Sequence, residues 1–264
     1  MLLSLKATRT PARPDNQGMT DFILIRHGET DWNRELRFQG QLDVPLNAMG
    51  QEQARRVGER LSPEFADHLI ASDLLRTQQT AAPISLLRPA QTALAAQLNA
   101  GFREQSFGKL EGMSVPEIQA NLPDVWALWT QFDADYTVDG GETARQFHTR
   151  VMRTMSALAQ TYPNKTLVVV THGGVLDMIY RTAQGQVLSG PRVAEIPNGG
   201  INRVRSFERA GSLKFEIMDW ADTRHLANMP AQPFYDQVKV ARLAGSPSAA
   251  QIFSPCRLSR ADSG

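Results

Sequence analysis

Residues 21–33 read DFILIRHGETDWN, and this stretch decides the fold class. The apolar run at 22–25 is typical of a strand that is buried on both faces of a parallel sheet. The run ends in Arg26 and His27, followed by Gly28, which lets a ligand approach the backbone closely. Ligands of open α/β sheets bind at the carboxyl ends of the strands. The cation and the imidazole at this end therefore predict a site for an anionic ligand.

A second strand ends in the same way. Residues 166–171 read TLVVVT, the clearest buried strand in the chain, and His172, Gly173 and Gly174 follow it. Parallel strands bring their carboxyl ends to the same edge of a sheet, so we expect His27 and His172 to face one pocket. A single His on an apolar element is usually structural, but two at matching strand ends favour a shared function.

The rest of the chain predicts strands that alternate with helices. Strands are indicated at 68–72, weakly within 92–106, and at 201–208 and 212–220, where the last two form a hairpin. A polar loop is expected at 28–45. Helices are indicated at 46–61, 76–87 with an interruption near Pro83, 114–132, after the capping box at Thr143, and after His172. The prediction is an α/β fold: a three-layer α/β/α sandwich with a mostly parallel central sheet and an edge hairpin.

The composition is that of an ordinary globular protein. The chain has 264 residues, of which 42% are hydrophobic and 21% charged, and its formal net charge is +1. This balance argues against a nucleic-acid partner, and the absence of a long apolar run argues against a membrane partner. Cys256 is the only cysteine, which excludes an intramolecular disulfide and a cysteine-based zinc site. We expect a cytoplasmic protein.

The string RHGET at 26–30, with WN at 32–33, resembles the signature of the histidine phosphatase superfamily, which includes the cofactor-dependent phosphoglycerate mutases. The family pattern also requires a second Arg, an acidic residue and a second His. Arg76 follows the strand HLIAS, Glu104 lies in REQSFGKLEG, and His172 follows TLVVVT. The resemblance therefore supplies all four catalytic residue types in the family's order.

The resemblance implies a mechanism. Arg26, Arg76 and His172 bind the non-bridging oxygens of a phosphoryl group, assisted by the N-terminus of the helix that Arg76 opens. His27 attacks phosphorus through an unprotonated nitrogen, while its other nitrogen donates to a backbone carbonyl. Glu104 protonates the departing alcohol and then accepts a proton from water. No metal is expected, because the arginines and His172 already supply positive charge and hydrogen-bond donors.

Further residues are expected near the phosphate. Asn33, Gln39, Gly40 and Gly173 are assigned to phosphate binding, with Gly40 offering a backbone N–H and Gly173 allowing close backbone approach. Glu142 has two interpretations: it lies near the mouth of the pocket, or its carboxylate stabilises the dipole of the helix that starts beside it. Thr30 is expected to line the pocket. The remaining histidines fit no site pattern and are interpreted as structural: His68, His148 and His225.

The resemblance covers about residues 21–225. It assigns 19–235 to one histidine phosphatase domain, between an N-terminal extension at 1–18 and a C-terminal tail at 236–264, both expected to be disordered. A homodimer is compatible with the sequence, which does not fix the oligomeric state.

The stretch EQSFGKLEGMSVPEIQ at 104–119 separates phosphatases from mutases. Family mutases carry His-Tyr-Gly and a later Lys after the acid, and this chain lacks the His-Tyr pair and that Lys. We therefore expect a metal-independent, cofactor-free phosphomonoesterase that acts on a small phosphorylated metabolite. The alternatives are a phosphoglycerate mutase with 2,3-bisphosphoglycerate as cofactor and a non-catalytic phospholigand-binding protein. Glu111 is the other carboxylate of this stretch, and Glu104 is favoured as the acid because it occupies the family's acid position.

Overall fold

The computed structural model describes residues 18–86 and 94–232. The tail at 236–264 lies outside the described residues, and so does the N-terminal extension apart from Gly18. Leu87, the expected last residue of a helix, also lies outside them.

Six strands form one sheet in the order β3-β2-β4-β1-β5-β6. In chain order they are β1 (Thr20–Arg26), β2 (His68–Ala71), β3 (Ala96–Leu98), β4 (Thr166–Thr171), β5 (Ile201–Arg209) and β6 (Ser212–Asp222). Strands β1 to β4 are parallel, whereas β5 runs antiparallel to β1 and forms a hairpin with β6 at the edge. The predicted sheet is confirmed, including the weakly indicated strand β3.

The two strands that end in His are neighbours at the centre of the sheet. Arg26 at the end of β1 pairs with Thr171 at the end of β4. The backbone N–H of His27 donates to the carbonyl of Thr171 at 2.9 Å. His27 and His172 therefore leave the sheet side by side, as the sequence predicts.

Helices connect the strands. In the described residues they are α1 (Asp31–Arg34), α2 (Ala48–Leu61), α3 (Leu75–Leu86), α4 (Val115–Asn121), α5 (Pro123–Trp129), α6 (Ala144–Thr161) and α7 (Gly173–Ala183). The predicted polar loop at 28–45 contains α1, because Thr30 and Asn33 form a capping box. The predicted single helix at 114–132 is two helices, because Pro123 opens a new one.

Helix α3 runs through Pro83 without the predicted interruption. At Pro83, helix α3 packs closely against helix α2. A methyl group on Gly58 of α2 would lie 2.8 Å from the backbone carbonyl of Pro83. The absence of a side chain at Gly58 therefore lets the two helices lie against each other at this point.

Hydrophobic cores cover both faces of the sheet. On one face, Leu24 clusters with Phe147 of α6 and Leu176 of α7. On the other face, Ile23 clusters with residues of α2 and α3, among them Val57. Successive residues of β1 point to opposite faces, which explains the unbroken apolar run. The predicted three-layer α/β/α sandwich is confirmed.

A third, smaller core lies around α4 and α5. Leu110, Ile118 and Val138 are its buried residues, and aromatic side chains including Phe107 and Trp129 pack against them. None of the described helices is both long and apolar enough to cross a lipid bilayer.

Candidate active site

The His27 ring is buried where β1 leaves the sheet, with 3% of the residue exposed. Its Nδ1 lies 2.7 Å from the carbonyl oxygen of Gly28. A carbonyl oxygen only accepts, so Nδ1 carries the proton and Nε2 holds a lone pair in the neutral ring. The predicted bond to a backbone carbonyl is present, and it leaves the lone pair of the neutral ring on Nε2.

The surroundings of His27 keep its ring neutral. Burial lowers its pKa well below 6.5, and the charges of Arg76 and Arg26 lower it further. A lowered pKa means that the proton is released at every pH above it. The ring of the unliganded protein is therefore neutral at neutral pH.

We expect His27 of the unliganded protein to be neutral at pH 6, with its proton on Nδ1, because its pKa lies well below 6.5. Long-range ¹H–¹⁵N correlation spectra at pH 6 distinguish this tautomer from the other one and from the imidazolium. The signals of the His27 ring are assigned as those that are absent from the spectrum of the His27→Ala protein. An imidazolium pattern for His27 at pH 6 would contradict the prediction.

Two arginines lie close to His27: Arg76 is buried, and Arg26 is half-buried with a buried Nε. Arg26 donates from Nη1 to the carbonyl of Ile196 at 2.6 Å, and Arg76 donates to the carbonyls of Gly40 and Leu42 at 2.7 and 2.8 Å. Within the described residues neither guanidinium forms an ion pair, and the Nε of each is buried without a hydrogen-bond partner. Burial lowers the pKa of both from 12.5 to about 10, so both stay charged at neutral pH. Buried charges of this kind are costly without an anionic partner, which makes this region a candidate anion site.

The N-terminus of the Arg76 helix already binds one protein carboxylate. The N–H of Leu75, the first residue of α3, donates to the carboxylate of Asp43 at 2.8 Å. This N–H is therefore not available to a phosphate, and a part of the helix end in phosphate binding stays a prediction.

His172 lies beside His27, with 5.3 Å between the ring centroids. Its Nε2 is 2.9 Å from the hydroxyl of Ser72, while its Nδ1 is buried and has no hydrogen-bond partner among the residues that the structure describes. Burial, with the charge of Arg76 next, lowers its pKa well below 6.5. The sequence did not identify Ser72, although its position at the end of the strand HLIAS was the available signal.

Glu104 is anchored against the start of α7. One carboxylate oxygen accepts from the N–H of Gly174 at 3.0 Å, and the other accepts from the N–H of Gln105 at 2.9 Å. A methyl group on Gly174 would lie 2.1 Å from the carboxylate. The sequence predicted that a group approaches the backbone closely at Gly173. The closest approach is instead that of the Glu104 carboxylate to Gly174, where only glycine leaves room for it.

A clamp of Arg150 and Glu142 holds the segment that carries Glu104. Arg150 makes two hydrogen bonds to the Glu142 carboxylate, at 2.7 and 2.8 Å, and donates to the carbonyls of Arg103 and Glu104 at 2.9 and 3.2 Å. Glu142 also accepts from the N–H of Ser106 at 3.0 Å. Glu142 directly precedes Thr143, the N-cap of α6, and its ion-pair partner Arg150 lies on the second turn of that helix. The sequence did not predict this ion pair.

We expect Arg150→Gln to lower kcat about 10- to 100-fold by loosening Glu104, because small displacements of a catalytic group are costly. The inhibition constant of orthovanadate should stay within about twofold, since the arginine site is untouched. Arg145→Gln is the matched control: Arg145 also lies on α6 and binds the exposed carboxylate of Asp135. If the inhibition constant of orthovanadate rises as much as kcat falls, the whole site is disturbed, and this result would contradict a specific role for the clamp.

The other predicted residues are partly confirmed in position. Asn33 and Gln39 line the cavity described below, but the Asn33 side-chain oxygen accepts from the N–H of Thr30 at 3.0 Å. Any bond from Asn33 to a phosphate would therefore come from its amide nitrogen. Gly40 contributes its carbonyl, which binds Arg76, and it has a φ of +49°. The Glu111 carboxylate accepts from backbone N–H groups, among them that of Phe107 at 2.9 Å, as expected of a structural carboxylate.

Asn198 is a further residue that the sequence did not identify. Its amide nitrogen donates to the carbonyl of His27 at 2.9 Å. Thr30 caps α1, and its side chain does not line the cavity. The three histidines interpreted as structural bind groups outside the cavity: His68 (Gln97), His148 (Thr182) and His225 (Gly199).

These groups meet at a cavity of about 260 Å³. Its lining includes His27, Arg26, Arg76 and Glu104. The lining also includes aromatic side chains from α1, α5 and the loops near them: Trp32, Phe38, Phe107, Trp129, Phe132 and Tyr136. His172 and Gly173 are not part of the lining, although His172 lies beside His27 and a methyl group on Gly173 would lie 3.4 Å from Nε of Arg26. The cavity thus offers a neutral imidazole nitrogen, two guanidinium groups and a carboxylate to one ligand.

Comparisons with known proteins agree with this geometry. The sequence model of the histidine phosphatase superfamily (branch 1) matches residues 22–219. A phosphoglycerate mutase-like protein of Arabidopsis thaliana is 32% identical over 78% of this chain and 86% of its own length. A metal-independent phosphoserine phosphatase of the same plant is 30% identical over 80% of this chain and 85% of its own.

A solved structure shows the same architecture. The mycobacterial glucosyl-3-phosphoglycerate phosphatase, solved as a complex with VO3, superimposes with a TM-score of 0.67 at 25% identity. The match covers 77% of this chain and 99% of the mycobacterial one. The chain belongs to branch 1 of the histidine phosphatase superfamily, whose members are phosphatases or mutases.

Proposed function

We propose that this chain is a metal-independent phosphomonoesterase that hydrolyses a small phosphorylated metabolite through a phosphohistidine on His27. One observation carries the proposal. A neutral imidazole with its lone pair on Nε2 lines the same cavity as Glu104 and the guanidinium groups of Arg26 and Arg76, whose charges both act on the ring. This combination suits a reaction in which a dianionic phosphoryl group is transferred to nitrogen.

In the first half-reaction, Nε2 of His27 attacks phosphorus and the bond from phosphorus to the ester oxygen breaks. The protonated carboxyl group of Glu104 gives its proton to the departing alkoxide, so that an alcohol leaves. Arg26 and Arg76 offset the charge of the phosphoryl oxygens, and His172 supports them from behind His27.

In the second half-reaction, water attacks phosphorus and the bond from phosphorus to Nε2 breaks. The Glu104 carboxylate takes one proton from that water and returns to its protonated form. Inorganic phosphate leaves and His27 is neutral again. No step uses a metal or a cofactor, because the two arginines supply the positive charge that a metal would otherwise bring.

A mutase would use the same phosphohistidine but return the phosphoryl group to a second alcohol oxygen instead of to water. The missing His-Tyr pair after Glu104 favours hydrolysis. A relative named as a phosphoserine phosphatase and a structural neighbour named as a glucosyl-3-phosphoglycerate phosphatase also support the phosphatase assignment.

Phosphate release from a panel of phosphorylated metabolites and p-nitrophenyl phosphate, in excess EDTA at pH 5 to 8, tests the proposal. We expect hydrolysis that EDTA leaves unchanged. Loss of activity with EDTA would contradict metal independence. Conversion of 3-phosphoglycerate to 2-phosphoglycerate faster than hydrolysis would establish the mutase instead, and no turnover of any ester would favour a phospholigand-binding protein.

A further inference from the structure

The orientation of the Asn33 side-chain amide is fixed by its neighbours. Its oxygen accepts from the N–H and from the hydroxyl group of Thr30, at 3.0 and 3.1 Å. A backbone N–H can only donate, so the amide oxygen, and not the nitrogen, faces Thr30. Asn33 lines the cavity, and no hydrogen bond within the described residues uses its side-chain nitrogen. This nitrogen is therefore available to a ligand of the cavity.

Asn198 is a second donor to the same oxygen, from a distant part of the chain. The residue is 3% exposed, and its amide nitrogen lies 2.9 Å from the carbonyl oxygen of His27 and 3.4 Å from Oδ1 of Asn33. A backbone carbonyl only accepts, which identifies the atom that faces both oxygens as the nitrogen. Its two N–H bonds can serve both acceptors at once. Asn198 thus connects the nucleophile that follows β1 to helix α1, which carries Asn33.

The loop that carries Asn198 is itself held in place. The N–H of Gly199 donates to the carbonyl of Arg26 at 3.0 Å, which fixes the loop to the end of β1. Gln232 binds both backbone groups of Asn198, because its Oε1 accepts from the N–H at 2.8 Å and its Nε2 donates to the carbonyl at 2.9 Å. The side chain of Asn198 is therefore presented to α1 from a fixed backbone.

We propose that Asn198 is a positioning residue, which turns the Asn33 amide so that its nitrogen donates to the phosphoryl group in the cavity. The inference rests on the proposed function, which supplies the phosphoryl ligand. An amide that turned over would place its oxygen in the cavity, where it would repel the phosphoryl oxygens. Donors at Oδ1 prevent this before the ligand arrives, so that no reorganisation is needed on binding. Because the same nitrogen of Asn198 binds the His27 carbonyl, it sets the Asn33 amide relative to the nucleophile.

A double-mutant cycle on orthovanadate binding tests this role, with dissociation constants measured by calorimetry for the wild-type, Asn33→Ala, Asn198→Ala and doubly substituted proteins. We expect Asn33→Ala to weaken binding about 10- to 100-fold, because a hydrogen bond to a charged group is lost. Asn198→Ala should weaken binding about 5- to 20-fold in the wild-type background and less than about twofold in the Asn33→Ala background. Equal factors in the two backgrounds, or no weakening in Asn198→Ala, would overturn the inference.

Asn202→Ala is the matched control. Asn202 is buried on β5 and also donates to a carbonyl of β1, that of Leu24 at 3.2 Å, but it does not line the cavity. Its substitution should lower the midpoint of thermal unfolding, while the dissociation constant of orthovanadate stays within about twofold. If Asn202→Ala weakens orthovanadate binding as much as Asn198→Ala does, the effect is a general loss of support for β1, and the inference is overturned.

The orientation of the Asn33 amide can also be measured without any change at Asn198, so the test does not depend on the folding of the Asn198→Ala protein. The side-chain ¹H–¹⁵N signals of Asn33 are assigned as those that are absent from the spectrum of the Asn33→Ala protein. We expect these signals to shift when orthovanadate binds to the wild-type protein. Unchanged signals at saturating orthovanadate would mean that the nitrogen does not face the ligand, which would overturn the inference.

A failure of the proposed function is distinguishable from these results, because none of the measurements needs turnover. If orthovanadate binds but no ester is hydrolysed, the phosphatase function fails, while the double-mutant cycle still decides the role of Asn198. If the wild-type protein does not bind orthovanadate, the cavity holds no phosphoryl site, and the inference about Asn198 is overturned with it.

Discussion

The His27→Ala protein should lose at least about 10⁴-fold in kcat, because the first half-reaction then has no nucleophile and no phosphohistidine can form. Arg26, Arg76 and Glu104 remain in this variant, so the phosphate site survives. Orthovanadate should still bind, although more weakly, since it loses its contact with Nε2. A substrate that rapidly phosphorylates the wild-type protein should leave no phosphoenzyme in the variant.

The phosphoenzyme gives a direct measurement. A phosphohistidine loses its phosphate in acid and keeps it in alkali, so quenched samples of the wild-type protein should show that stability pattern. His68→Gln is the control: its ring lies on β2 and stacks on Tyr162, away from the cavity. Near-wild-type turnover by His27→Ala, or an alkali-labile phosphoenzyme, would assign the nucleophile to another residue.

Local sequence was enough to place His27 and His172. Each follows an apolar run that can only be a buried strand, and parallel neighbours must end at the same edge. The capping box at Thr143 and the hairpin at 201–222 were also readable, because turn and cap signals act over a few residues. These features set the three-layer fold and the central pair of the site.

The residues that sequence reasoning missed depend on contacts between distant segments. Arg150 is 46 positions from Glu104, and Asn198 is 171 positions from His27. No local pattern marks such partners, because their hydrogen bonds exist only after the loops have folded against the sheet. Helix α1 was missed for a different, local reason: its capping box uses Asn33 where the usual one has Glu or Gln.

Glu104→Gln should lower kcat/KM for an alkyl phosphate about 10²- to 10⁴-fold, because the alkoxide must then leave without a proton. For p-nitrophenyl phosphate the first half-reaction should change far less, since p-nitrophenolate leaves readily unprotonated. Hydrolysis of the phosphohistidine still needs Glu104 to accept a proton from water. Rapid mixing should therefore show a burst of one p-nitrophenolate per site, followed by slow turnover.

Glu111→Gln separates the two carboxylates of the same stretch. One oxygen of Glu111, Oε1, accepts hydrogen bonds from the backbone N–H groups of both Gln41 and Phe107, and the oxygen of a glutamine amide can accept both of them. The Glu111→Gln protein should therefore keep both its fold and its chemistry: we expect no burst, and the rates for alkyl and p-nitrophenyl esters should differ as they do in the wild-type protein. If Glu111→Gln shows the burst and Glu104→Gln does not, Glu111 is the proton donor, and the hydrogen bonds that fix Glu104 to Gly174 and Gln105 have a structural role only.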